Sequence, residues 1–118
     1  MGRIKKNPPV KLIIGFIFKE DKILYKAQSF LTRRFGAIDY ESKAIAFTYS
    51  NYYKSELGNG LKRKFISFKK LILPQNLPRI KITANIIEKK LSKAGMRSVN
   101  IDPGYIDMAK LILASTKD

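Results

Sequence analysis

The residues of this chain able to do chemistry gather in three places. Tyr52 and Tyr53 precede Gly58, Gly60, Lys62 and Arg63, with Tyr49 and Glu56 in the same stretch. Tyrosine rings offer a flat apolar face and a polar tip for stacking a base or sugar. Lys62 and Arg63 add donors for a phosphate. A second group, Asn100, Asp102 and Tyr105, lies in Asn100-Ile101-Asp102-Pro103-Gly104-Tyr105. Asp102 could accept hydrogen bonds or hold magnesium, but Asp before Pro-Gly more often closes its own turn, here a type II turn. The third is Phe65-Ile66-Ser67-Phe68. It matches the second half of the strand pattern of RNA-recognition motifs, whose aromatics stack on bases. The first half fails, with Lys62 in place of the glycine and Arg63 in place of the first aromatic. Ile66 and Phe68 read as core, and Phe65 fits either side.

Other chemistries are excluded by composition. The 118 residues contain no Cys and no His. Disulfides, thiolate metal sites, cysteine nucleophiles, the usual zinc ligands and the commonest general base near neutral pH are therefore absent. A metal would have to be a hard ion on the nine carboxylates, and neither a metal nor a cofactor is predicted. Gly58-Asn59-Gly60-Leu61-Lys62 has the wrong spacing for a phosphate loop and precedes a strand rather than a helix. Thr116-Lys117-Asp118 lacks a residue of the guanine-specificity motif it faintly resembles.

The net charge is +15. Such a balance suits a polyanion partner: a phosphorylated small molecule, nucleic acid or anionic lipid. Lys outnumbers Arg 18 to 6 and Ile numbers 16, so drift in composition is the bland alternative, since dedicated phosphate readers lean toward Arg. Arg3, Lys5 and Lys6 before Leu12–Phe18 mimic a signal peptide, but Pro8-Pro9 interrupts the entry and no cleavage site follows. No apolar run is long enough to span a membrane. The expectation is a cytoplasmic protein with no membrane partner.

The positioning elements follow from periodicity. Residues 1–9 form a basic arm. Val10–Phe18 is a buried strand. Asp21–Phe35 is an amphipathic helix with Asp21 as N-cap, Arg33 and Arg34 in the last turn and Gly36 as its stop. Ala37–Tyr49 alternates as a strand with a break near Ser42. Leu61–Phe68 alternates too, placing Arg63, Phe65 and Ser67 on one face and Lys64, Ile66 and Phe68 on the other. Asn76 caps a second helix carrying Ile80, Ala84, Ile87, Leu91 and Ala94, closed by Gly95. Ser98–Ile101 is a short strand, followed by the Asp102 turn and a helical segment Met108–Ser115 capped by Asp107. The fold class is α+β, ferredoxin-like β-α-β-β-α-β with an extra C-terminal element, in one domain spanning 1–118. In that arrangement Ser50–Gly60 and the Asp102 turn lie at opposite sheet ends and cannot share a pocket.

The series Val10-Lys11-Leu12, Phe35-Gly36-Ala37-Ile38-Asp39, Tyr52-Tyr53, Gly60-Leu61-Lys62-Arg63, Val99 to Tyr105 and Ala114 to Asp118 resembles domain of unknown function 4416, a family of bacterial proteins sometimes labelled GTP-binding. The resemblance covers nearly the whole chain and implies no known activity, cofactor or catalytic residue. It also implies that the chain lacks a C-terminal part, in keeping with Met108–Asp118 ending without a stop signal.

The leading expectation is a nucleotide-like or phosphorylated ligand bound at Tyr52, Tyr53, Lys62 and Arg63, with Asn100, Asp102 and Tyr105 as further candidates. The alternative is a sequence-tolerant RNA or DNA binder using basic faces. A third is an enzyme with Asp102 or Glu56 as acid or base; whether the chain is an enzyme stays open at this point. An exposed sheet edge would favour a homodimer.

Overall fold

The computed structural model describes residues 8–48 and 57–107. Their order is β1 (Lys11–Phe18), α1 (Asp21–Phe35), β2 (Ile38–Glu41), β3 (Ile45–Ala46), β4 (Lys62–Phe68), a 3₁₀ turn (Pro74–Asn76), α2 (Leu77–Lys90) and β5 (Val99–Ile106). The fold is α+β: a five-stranded antiparallel sheet carrying two helices. Its strand order is β2-β4-β1-β5, with β3 also paired to β4.

β1 is central because nearly all its residues are apolar. Leu12, Ile14, Phe16 and Phe18 point toward the helices and are fully buried. They meet Ile23, Leu24, Ala27 and Leu31 of α1 and Ile80, Ala84 and Ile87 of α2. β4 adds Ile66 and Phe68 to this core, as its alternation predicts. Phe68 also packs edge-on against Phe35, with ring centroids 5.8 Å apart. Burying side chains of this size stabilises the fold by about 1.5–3 kcal/mol each.

β2 and β3 both pair with β4, so the long strand read from the sequence is interrupted where the alternation fails. Ser42 fills the gap: its N–H donates to the Phe65 carbonyl at 2.9 Å and its Oγ accepts the Phe65 N–H at 2.8 Å. A bulge between Ile38 and Tyr40 turns both Asp39 and Tyr40 to the face away from the helices.

Four local expectations are corrected. Asp21 is not the cap of α1: Glu20 holds that position without a side-chain cap bond, and Asp21 instead receives the Lys62 ammonium at 2.6 Å. Asn76 has helical backbone angles and no cap bond, because a 3₁₀ turn has already begun at Pro74. α2 ends at Lys90, and Gly95 serves a separate tight turn in which Lys93 and Met96 exchange backbone bonds. The positive φ of Gly95 (77°) is what that turn requires of it.

The fourth correction matters most for function. Asp102-Pro103-Gly104-Tyr105 is not a turn. β5 runs through it, with Gly15 opposite Asp102 and Ile14 opposite Pro103 along an unbroken register from Phe18↔Val99 to Lys11↔Ile106. Proline is tolerated because β5 is an edge strand. The Ile101 N–H points outward, to the Glu88 carboxylate of α2 at 2.6 Å. By the parity of an antiparallel ladder, the nitrogen of Pro103 points outward as well, where no ladder bond is lost. Glu88 and Pro103 together blunt this edge against further strand pairing.

Candidate functional site

Both helices cover one face of the sheet. The opposite face is built from alternate residues of every strand, and the register places them in rows. Asn100, Ile17, Arg63 and Ile45 form one row; Asp102, Gly15 and Phe65 the next; Gly104, Ile13, Ser67 and Tyr40 the third. Ile17 is buried under Leu57, Leu61 and Phe47, which cover one end of the face. Beyond them a depression of about 290 Å³ stays open, lined by Ile13, Gly15, Arg63, Phe65, Asn100 and Asp102 among others.

Phe65 is 37% exposed, and Gly15 is what lets it lie flat. A Cβ on Gly15 would stand 3.0 Å from the Phe65 ring, closer than ordinary contact. A ring lying over a cross-strand glycine shields backbone that a side chain would otherwise cover. The Arg63 guanidinium sits 5.0 Å from the Phe65 ring centroid and 5.3 Å from that of Phe47, within cation–π reach of both. Its Nε is buried and has no hydrogen-bond partner among the described residues. No ion pair joins Arg63 to a described carboxylate. Across the depression, Asn100 Oδ1 accepts a bond from Arg97 at 2.8 Å. Its amide nitrogen brings two donors, and the exposed Asp102 brings only acceptors.

The rest of the face is held by one ion pair and its hydrogen bonds. Lys11 donates to Asp39 and, at 3.0 Å, to the Phe68 carbonyl; Ser67 Oγ donates to Asp39 at 2.5 Å. The Lys11 and Ser67 bonds hold the Asp39 carboxyl below the usual carboxylate range. On the helix side, Lys64 donates to Glu41 at 2.7 Å and lowers its pKa, aided by Gln28.

Of the residues singled out in the sequence, Arg63, Phe65, Asn100, Asp102 and Tyr105 border this same depression. Tyr105 does so from the edge: it pairs with Leu12, whose side chain is in the helix-side core, so its ring is on the helix side. Lys62 is on the helix side too, bound to Asp21 and 5.3 Å from the Phe18 ring centroid. Adjacent strand residues point to opposite faces, so Lys62 and Arg63 do not meet on one phosphate. Tyr49, Tyr52, Tyr53 and Glu56 lie outside the described residues. Gly15 and Phe47 were not singled out as site residues. A glycine inside an otherwise bulky apolar strand was the available signal for Gly15, since such a residue marks a close approach. Among the described residues, no group of three or more acids could hold a metal ion, and no helix is long and apolar enough to cross a membrane.

A family model described as Domain of unknown function (DUF4416) matches residues 8–118. The chain belongs to this family. The match takes in both helices, all five strands and therefore the whole open face. No curated protein and no solved structure matches the chain.

Proposed function

We propose that the open face of the sheet binds a nucleotide-like ligand, with the base on Phe65, the phosphate on Arg63 and sugar or base donors on Asp102. The observation that supports this reading is Arg63 itself: a guanidinium within cation–π reach of two rings, with no carboxylate partner among the described residues, at the border of a depression. Contact with the rings restrains it and leaves its outer N–H groups for a phosphate, the bidentate use to which arginine is suited. Asp102 and Asn100 supply acceptors and donors for the polar edge of the same molecule. The ferredoxin-like arrangement belongs to this reading. What supports it is the order β2-β4-β1-β5, which, with β2 and β3 counted as one interrupted strand, suits a split βαβ sheet with both helices on one side.

A thermal-shift series with nucleoside monophosphates tests the proposal, because a ligand that binds the folded state raises stability. The expected result is a concentration-dependent rise that Arg63→Ala abolishes. No rise at about 100 times the weakest useful dissociation constant would refute it.

One observation favours a second reading, sequence-tolerant nucleic-acid binding by the helix layer. α1 carries Lys22, Lys26, Arg33 and Arg34, and α2 carries Arg79, Lys81, Lys89 and Lys90. The acids of the two helices are Asp21, paired with Lys62, and the buried Glu88. Glu20, which pairs with Lys22 at 3.7 Å, offsets one of these charges, and the rest of the outer side stays positive among the described residues. Binding of this kind weakens steeply as salt rises, whereas the open-face ligand depends on Phe65 and tolerates salt better.

A further inference from the structure

The end of α1, the segment 69–73 and the start of α2 converge at the sheet end away from Asp21, on the helix side. They enclose a depression of about 310 Å³. Arg34, Lys70 and Arg79 line it, and Phe35, Ile72 and Ile80 give it an apolar wall. No carboxylate lines it. Among the described residues none of the three cations has an ion-pair partner. Converging like charges repel one another and destabilise the compact state unless an anion offsets them.

Two further features narrow the ligand. Leu71 and Leu73 also border the depression and stand 38% and 40% exposed. A bare inorganic anion would make no use of them. Three cations also suit a phosphate monoester, with about −1.5 to −2 charges at neutral pH, better than a single carboxylate. We infer that this depression is a second binding site, for a small organic phosphate with a compact apolar body. Arg34, Lys70 and Arg79 take the phosphate, and Leu71, Leu73, Phe35 and Ile80 take the body. The size is at the lower end for small-molecule pockets, about 300 Å³, so the body is no larger than a ring or a short branched chain. The site lies on the opposite side of the sheet from Arg63 and does not depend on the open-face reading.

The test is a two-dimensional amide NMR titration of the whole chain with phenyl phosphate, and separately with inorganic phosphate and with phenol. Phenyl phosphate is expected to give saturable shifts at Lys70–Leu73 and Arg79, with affinity about tenfold above either control. Arg79→Ala and Lys70→Ala each weaken it by about tenfold, the size of one charge-assisted bond. Lys22→Ala, elsewhere on the helix layer, leaves it unchanged, as does Arg63→Ala, so failure here and failure of the open-face site read separately. Equal affinity for phosphate and phenyl phosphate would overturn the inference. So would an effect of Lys22→Ala as large as that of Arg79→Ala, which marks diffuse attraction, or the absence of saturable shifts up to about 10 mM.

Discussion

Replacing Glu88 by alanine tests how β5 is held. Glu88 is 7% exposed, and its carboxylate accepts the Ile101 N–H at 2.6 Å. Truncation removes a charge-assisted bond worth about 1.5–3 kcal/mol and leaves a buried donor unpaired. Arg97, 3.7 Å from the same carboxylate, adds little, because its partly exposed side chain can return to water and still bond Asn100. The expected cost is therefore about 2–3 kcal/mol. With a urea slope of about 1–3 kcal/mol per molar, the unfolding midpoint falls by roughly 0.7–3 M at an unchanged slope. Glu88→Gln keeps an acceptor for the Ile101 N–H and costs less than half as much. Amide exchange at Ile101 accelerates in Glu88→Ala more than at Ile14. A change in midpoint below the equivalent of about 0.5 kcal/mol, typical of a surface substitution, would refute the edge-capping argument.

Other outcomes follow from the same geometry. Phe68→Ala, at a fully buried position, costs about 3–5 kcal/mol, a large share of a small domain's stability, and shows as a strongly lowered melting temperature. Asp39 and Glu41 have lowered pKa values from Lys11 with Ser67 and from Lys64 with Gln28. Their contribution is complete above the unfolded carboxylate range of about 4 and is lost as pH falls through the folded values. Asp39→Asn flattens that acid limb in urea titrations taken at successive pH values, while an unchanged limb would place its origin elsewhere. Gly15→Ala pushes the Phe65 ring outward, since the new Cβ meets it at 3.0 Å. Stability changes by no more than about 1 kcal/mol, because alanine also restricts the unfolded chain, and the ring's NMR signals shift.

The helices and the two faces of β4 were legible because their periodicity is undisturbed. Asp21–Phe35 carries a clean apolar stripe between an acid and a glycine, and Lys62–Phe68 alternates without a break. The Asp102 segment misled because Pro-Gly is a strong local turn signal, and what overrides it is tertiary. An edge position makes the missing N–H harmless, and Glu88, 13 residues away, holds the neighbouring donor. That displacement changed the site: Asp102 moved from a sheet end to the middle of β5, into one depression with Arg63. Lys62 and Arg63 looked like a pair in sequence and part company in space, as the alternation of a strand dictates. The pairing of Phe65 with Gly15 depends on the register between β1 and β4, which no local pattern encodes.

The nucleotide-like ligand proposed for the open face depends on Arg63 and Phe65, whose guanidinium and ring lie 5.0 Å apart. An amide NMR titration with adenosine monophosphate, repeated on Arg63→Ala and Phe65→Leu, tests it most directly. Saturable shifts are expected at Gly15, Phe65 and Asp102, with a loss of about tenfold or more in affinity in each variant, the range of one stacking or phosphate contact. Unmoved amides at these positions, or shifts that both variants leave intact, would contradict it.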